Sequence, residues 1–168
     1  MVSDGQLRQA TAEVAGRQIG DLSGVSPADL PAELRGRVTF IDPDGRADGN
    51  TNPVEAARVA DVVGSYLDAG VSAGDIGVIA PYRAQVATIR ERVPGGVAVD
   101  TVDRFQGSSK EVIVVSFTAT GSLDGPIFED YRRINVALTR AKRALVLVGD
   151  DAALSTDDTY ARMVEWAR

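Results

Sequence analysis

Residues 76–85 read Ile-Gly-Val-Ile-Ala-Pro-Tyr-Arg-Ala-Gln, an apolar run that ends at a proline where a helical pattern begins. A run that is apolar at every position is typical of a strand covered on both faces, as in a parallel sheet. Helical patterns alternate with such runs, so the sequence predicts an α/β layered domain with a mostly parallel sheet. Four further runs predict strands, at Val38–Asp42, Val97–Val102, Glu111–Phe117 and Ala144–Gly149.

The predicted helices begin and end at recognisable residues. Asn52 is placed to cap the first helix, with Pro53 at its first position and Glu55 reaching back to complete a capping box. Gly70 is expected to end this helix. A second helix follows Pro81, a third is predicted over Tyr131–Lys142, and a fourth carries the apolar face of Tyr160, Met163, Val164 and Ala167. Residues 1–37 lack this alternation and are interpreted as a leading segment before a domain at 38–168.

The composition excludes several classes of site. The chain of 168 residues is long enough for one domain and contains no cysteine and no histidine. Disulfides, thiolate or imidazole metal sites and a Ser-His-Asp triad are therefore excluded. No run of about 18 apolar residues and no signal-peptide pattern is present, so we expect a cytoplasmic protein without membrane contact.

Charge is distributed unevenly along the chain. Residues 76–148 hold 10 Lys+Arg and 7 Asp+Glu, whereas the remainder holds 8 and 17. A basic island in an acidic chain is one pattern of phosphate-binding proteins, and a mixed solvated surface would give the same counts.

Two polar segments follow predicted strands, where ligands gather in open α/β sheets. After the first strand quoted above, Tyr82 could stack on a base and Arg83 could meet a phosphate, or the segment is a plain strand-to-helix turn. In the second, Thr101 offers a hydroxyl and an amide to phosphate, Gln106 can donate and accept, and Gly107 allows close approach of a ligand. An ordinary polar loop would look the same.

The third segment is the predicted helix over Tyr131–Lys142. At about 100° per residue, Ile134, Ala137, Leu138 and Ala141 form one buried stripe. Arg133 and Arg140 are seven residues apart, so they would project within about 20° of each other at the margin of that stripe. Such a position can hold a guanidinium at the lip of a cleft, and a solvated basic face is the alternative.

Taken in order, these segments resemble motifs IV, V and VI of superfamily 1B helicases, in the branch of the nonsense-mediated-decay RNA helicase and the replication helicase-nuclease. The matching runs are APYRAQ at 80–85, VDTVDRFQG at 99–107, and RRINVALTRAK at 132–142 followed by LVLVGD at 145–150. The resemblance covers roughly residues 38–168. It implies a RecA-like three-layer domain of the P-loop NTPase superfamily, the second of two such domains and the one that lacks the P-loop.

The resemblance also implies that this chain is part of an ATP-dependent DNA or RNA helicase, and it assigns roles to individual residues. By position, Arg140 matches the arginine finger that stabilises charge on the γ-phosphate, so it is the predicted catalytic residue. The predicted ATP-binding residues are Gln106, Gly107, Ser109 and Arg133. The predicted contacts to single-stranded DNA or RNA are Pro81, Tyr82, Arg83, Thr101, Val102 and Asn135. ATP and Mg²⁺ would be held mainly by an N-terminal RecA-like domain of the same parent protein, and the isolated domain is expected to be a monomer.

The sequence departs from the family pattern at two points. It contains no G-x-x-x-x-G-K-[S/T] loop, so the isolated chain is expected not to hydrolyse ATP. Many relatives place a ribose-contacting glutamate where this chain has Ser109. A non-catalytic module that binds nucleic acid or a partner, derived from a helicase, is therefore the alternative function. An unrelated α/β nucleotide-binding protein is a third reading.

Overall fold

The computed structural model describes residues 24–44, 51–105, 109–118 and 136–167, and five parallel strands form its centre. The strands are β1 (Val38–Ile41), β2 (Ile76–Ile79), β3 (Ala98–Asp100), β4 (Lys110–Ser116) and β5 (Ala141–Val148). Their order in the sheet is β1-β5-β4-β2-β3. Each of the five predicted strands is thus confirmed, and so is the RecA-like α/β fold.

Helices cover both faces of the sheet. They are α1 (Pro53–Asp68), α2 (Arg83–Arg90), α3 (Asp151–Leu154) and α4 (Asp158–Ala167). Alternate residues of β5 belong to different cores, since Leu145 and Leu147 pack with α4 whereas Val146 and Val148 pack with α1. Such two-sided burial explains why the central strands are apolar at nearly every position.

The first predicted helix is confirmed, since it begins after Asn52 and ends before Gly70. On the face that it turns to the sheet, Val59, Val62, Val63 and Tyr66 are fully buried and Leu67 is partly buried. Residues 24–37 add to this core, since Leu30 and Leu34 are buried in the same cluster as α1. Among the described residues, no helix is both long and apolar enough to cross a membrane.

The predicted helix over Tyr131–Lys142 is wrong at its C-terminal end. Helical residues are described only for 136–138, Thr139 and Arg140 form a turn, and β5 begins at Ala141. Pairing decides the outcome, because Lys110 lies opposite Ala141 in the parallel ladder with β4. Ala141 is buried as expected, but as the first residue of a strand. The helical angle between Arg133 and Arg140 therefore does not apply.

Candidate functional site

The residues predicted to contact a single strand follow the carboxyl ends of β2 and β3. Pro81 and Tyr82 are partly buried, Arg83 is exposed, and Tyr82 is the N-cap residue of α2. The backbone N–H of Ala80 donates to the carbonyl of Asp100 (3.2 Å), which keeps the two strand ends together. The turn after β2 and the residues after β3 therefore lie side by side at one edge of the sheet, which we call the carboxyl edge.

Thr101 is held at this edge by an ordered acidic neighbour. Its backbone N–H donates to Oδ1 of Asp100 (2.9 Å), so the amide is already engaged. Asp100 is in turn flanked by Arg90 (3.6 Å) and Arg104 (3.9 Å). Val102 differs from expectation, because its side chain is only 3% exposed and packs in the core. A contact from Val102 to a strand is thereby restricted to its backbone.

The predicted nucleotide-binding residues that the structure describes lie at the opposite edge. Arg140 immediately precedes β5 and Ser109 immediately precedes β4, which are neighbouring strands. The backbone N–H of Lys110 donates to the carbonyl of Arg140 (3.0 Å), which fixes the two strand starts against each other. Gln106, Gly107, Arg133 and Asn135 lie outside the described residues.

The length of β4 implies that these two groups of residues lie about 20 Å apart. β4 has seven residues, and a strand rises about 3.3 Å per residue. Because all the strands are parallel, Arg140 and Ser109 share the amino edge whereas the Pro81–Arg83 turn and Thr101 share the carboxyl edge.

Arg140 has an unusual environment for a cation. Its Nε atom is buried and has no hydrogen-bond partner among the described residues, although the residue as a whole is partly exposed. A buried N–H without an acceptor costs about 1–3 kcal/mol, and more in a charged group. The Nε–H of Arg140 is therefore a buried donor without an acceptor among the described residues.

A buried polar cluster lies at the carboxyl edge, and the sequence patterns did not identify it as a unit. We call it the Glu55 cluster, and it comprises Asn52, Glu55, Gln85, Ser116 and Thr118, all buried. Oε1 of Glu55 accepts hydrogen bonds from Oγ of Ser116 (2.6 Å) and the backbone N–H of Thr118 (2.7 Å). The predicted capping box is half formed: Oδ1 of Asn52 accepts from the N–H of Glu55 (3.1 Å), as expected.

The other half of the capping box is replaced by a longer-range contact. The backbone N–H of Asn52 donates to Oε1 of Gln85 (2.8 Å) instead of to Glu55. Gln85 also donates from Nε2 to the carbonyl of Asn52 (3.1 Å) and to Oγ of Ser116 (3.3 Å). The cluster consequently joins the N-termini of α1 and α2 to the end of β4.

The ionisation of Glu55 is perturbed. Burial raises the pKa of its carboxyl group from 4.5 to about 7, against the opposing effect of the hydrogen bonds from Ser116 and Thr118. The carboxylates of Asp150 and Asp42, which follow β5 and β1, raise this pKa further. Desolvation disfavours the charged form, so Glu55 is near half protonation at neutral pH.

Within the described part of the chain, no group of three or more acidic side chains is close enough to hold a metal ion.

Sequence comparisons relate this chain to known helicases. Residues 36–152 match the family described as AAA domain. The DNA replication ATP-dependent helicase/nuclease DNA2 of Mus musculus is 43% identical over 141 residues, covering 79% of this chain and 13% of that protein. An uncharacterized ATP-dependent helicase of Methanocaldococcus jannaschii is 38% identical over 140 residues, covering 78% of this chain and 20% of that protein.

A plant protein shows the same similarity. The DNA replication ATP-dependent helicase/nuclease JHS1 of Arabidopsis thaliana is 41% identical over 109 residues, covering 62% of this chain and 8% of that protein. The chain thus spans at most a fifth of the length of these three relatives.

Proposed function

The chain belongs to the AAA domain family, as the C-terminal RecA-like domain of superfamily 1B helicases, and on that premise we propose that it is the second motor domain of an ATP-dependent helicase. In this proposal Arg140 is the arginine finger, and the residues after β2 and β3 form part of the track for a single strand. An N-terminal RecA-like domain of the same protein supplies the phosphate-binding loop and the ligands of Mg²⁺.

The observation that carries the proposal is the buried, unpartnered Nε of Arg140 at the start of β5. A planar guanidinium whose Nε–H has no acceptor among the described residues is suited to the charge that develops on a γ-phosphoryl group. Ser109 lies at the start of the neighbouring strand, where it would be near the ribose. ATP, when bound, supplies the phosphoryl group whose transfer to water drives the motor.

Three residues at the carboxyl edge support the proposal of a strand track. Tyr82 offers a ring for stacking on a base, Arg83 offers an exposed cation, and Thr101 offers its hydroxyl to a phosphate. Contacts of this kind do not read bases, so we propose binding that is independent of sequence and weak in the isolated chain. The relatives that act in DNA replication favour DNA as the strand in this proposal.

The test compares the isolated chain with a chimera in which it replaces the matching segment of the mouse DNA2 relative. The isolated chain, as a monomer in light scattering, is expected to bind labelled oligothymidylate without hydrolysing ATP. The chimera is expected to hydrolyse ATP when single-stranded DNA is added. ATP hydrolysis by the isolated chain, or a folded chimera that binds DNA but shows no turnover, would contradict the proposal.

A further inference from the structure

The Glu55 cluster lies directly behind the residues of the proposed strand track. Gln85 is the third residue of α2, whose first residue is Arg83 and whose N-cap is Tyr82. It does not cap its own helix but bonds both backbone groups of Asn52 and the hydroxyl of Ser116. The orientation of the first turn of α2 therefore depends on side chains at the start of α1 and the end of β4.

Thr118 marks the second place where the cluster fixes the backbone. Its φ of 71° lies in the left-handed region, which a β-branched residue rarely adopts. Its Oγ1 is buried and has no partner among the described residues. The hydrogen bond from its N–H to Glu55 (2.7 Å) therefore holds a strained residue in place just after β4. Strain of this kind persists where the surrounding structure over-determines it, which is common beside functional sites.

From this arrangement we propose that Glu55 is a proton-linked positioning residue of the strand track. It holds Thr118 directly, and through Ser116 and Gln85 it holds the turn that carries Tyr82 and Arg83. This assignment rests on the proposed function, because it requires that a strand bind at the carboxyl edge.

The proton linkage follows from the charges around Glu55. Among the described residues no cation pairs with its carboxyl group, and the charged groups that act on it are Asp42 and Asp150, both negative. The N-terminus of α1 favours the ionised form, but burial outweighs it and the pKa is about 7. Ionised Glu55 adds a negative charge beside those of Asp42 and Asp150 at the edge where phosphates are proposed to lie. The protonated form should therefore bind a strand more tightly, and by linkage a bound strand should raise the pKa of Glu55.

The composition makes this linkage measurable. The chain has no histidine and no cysteine, so apart from the α-amino group no other group ordinarily titrates near neutral pH. The probe is a fluorescently labelled oligothymidylate, and its anisotropy gives the affinity for the isolated chain at fixed ionic strength. Measurements at about pH 6 and about pH 8 bracket the Glu55 pKa of about 7.

We expect the wild-type chain to bind about three- to tenfold more tightly at the lower pH. The Glu55→Gln variant should bind equally at both pH values, with the affinity that the wild type has at low pH. The Glu165→Gln variant is the matched control, since it removes one exposed carboxylate on α4 and should keep the wild-type pH dependence.

A second variant keeps the assignment falsifiable if Glu55→Gln does not fold. Ser116→Ala removes a hydrogen bond that lowers the pKa of Glu55, so the midpoint of the binding curve should move to higher pH. A purely structural role for the cluster gives no reason for such a directed shift.

An unchanged midpoint in Ser116→Ala, or a wild-type pH dependence that survives in Glu55→Gln, overturns the assignment. Wild-type binding that does not change with pH also overturns it while leaving the track intact. A wild-type chain that binds no oligothymidylate at either pH overturns the track itself, and this assignment with it.

Discussion

Arg140 and Glu55 each place a buried polar group in an uncommon environment, and they lie at opposite edges of the sheet. Arg140 is a cation with a buried, unpartnered Nε, and Glu55 is a buried carboxyl group whose pKa is raised to about 7. Unsatisfied or perturbed groups of this kind are uncommon in a well-packed domain and concentrate at functional sites. Each therefore supports a prediction that a single substitution can test.

The first prediction concerns turnover. In a helicase that contains this chain, Arg140→Ala should lower kcat for ATP by about 10³-fold or more while changing KM little, because the guanidinium acts on charge that develops in the transition state. Arg140→Lys should rescue poorly, since a point charge cannot replace the planar fork. The measurement is steady-state ATP hydrolysis with saturating single-stranded DNA, alongside melting curves.

The structure identifies a suitable control for that experiment. Lys142 is an exposed cation two residues away on β5, so Lys142→Ala should leave kcat nearly unchanged. Arg143 is less suitable, because its Nε bonds Glu111 (2.8 Å) and its loss would remove a partly buried ion pair. Near-normal kcat in Arg140→Ala would refute the arginine-finger assignment.

The second prediction concerns stability and pH. The pKa of Glu55 in the folded chain, about 7, lies above its ordinary value of 4.5, so between these pH values the folded state binds more protons than the unfolded state. The contribution of Glu55 is therefore most favourable below pH 4.5 and is lost as pH rises through 7, by up to about 3 kcal/mol. Glu55→Gln should remove this loss.

The free energy of unfolding in urea, measured at several pH values, tests the direction of this pH dependence. The difference in unfolding free energy between the wild type and Glu55→Gln should change between about pH 4.5 and about pH 7, whereas Glu165→Gln should follow the wild type at every pH. A constant difference between wild type and Glu55→Gln would show that Glu55 is ionised throughout in the folded chain.

At the scale of single elements, strands were easier to predict than the ends of helices. The apolar runs identified all five described strands. The central strands β2, β4 and β5 are buried on both faces over most of their length, so their pattern does not depend on which neighbour they pair with, and the edge strands β1 and β3 are still partly buried. The end of the third helix was missed because Val136–Lys142 suits either helix or strand locally. The ladder with β4 decides between them, and pairing between distant segments is not visible in a local pattern.

The same distinction applies to the candidate site. The positions of Pro81, Tyr82 and Thr101 at strand ends followed from the sequence, since parallel strands bring their carboxyl ends to one edge. The Glu55 cluster did not, because its members are up to 66 residues apart and meet only in the folded sheet. Asn52 and Glu55 gave a local capping signal, and Gln85 stood within a matched motif, but nothing in the sequence indicated that Gln85 would replace Glu55 as the partner of the Asn52 N–H.

The third prediction compares two glycines of one helical unit. Gly70 ends α1 with a φ of 107°, and a Cβ there would lie 2.1 Å from the carbonyl oxygen of Gly24. Gly64 lies within α1, and a Cβ there would meet nothing within 4 Å. Gly70→Ala should destabilise the chain by about 2 kcal/mol or more, whereas Gly64→Ala should stabilise it by about 0.5–1 kcal/mol. Thermal melting of both variants tests the pair, and equal effects would contradict the described end of α1.

The whole molecule carries a net charge of −6, yet it is proposed to bind a polyanion. A negative net charge and binding of a polyanion are compatible because the charge is segregated along the chain, with an excess of basic residues at 76–148 and an excess of acidic residues elsewhere. Repulsion among the acidic groups opposes folding, and the basic residues near the track attract phosphate. Salt screens both interactions, so it should raise the stability of the chain and lower its affinity for a nucleic-acid strand.

The fourth prediction follows from that opposition. Raising KCl from about 0.05 M to about 1 M should increase the melting temperature, since the Debye length falls from about 14 Å to about 3 Å and the acidic surface repels itself less. Over the same range the affinity for oligothymidylate should fall, because each phosphate contact releases a counterion and screening cannot restore it. Circular dichroism and fluorescence anisotropy on one series of samples measure both. A loss of affinity that merely reflected unfolding would require the melting temperature to fall with salt, so the opposite slopes separate the two causes. Affinity that is unchanged or rises with salt would mean that phosphate contacts do not hold the strand, and would leave base stacking on Tyr82 as the source of binding.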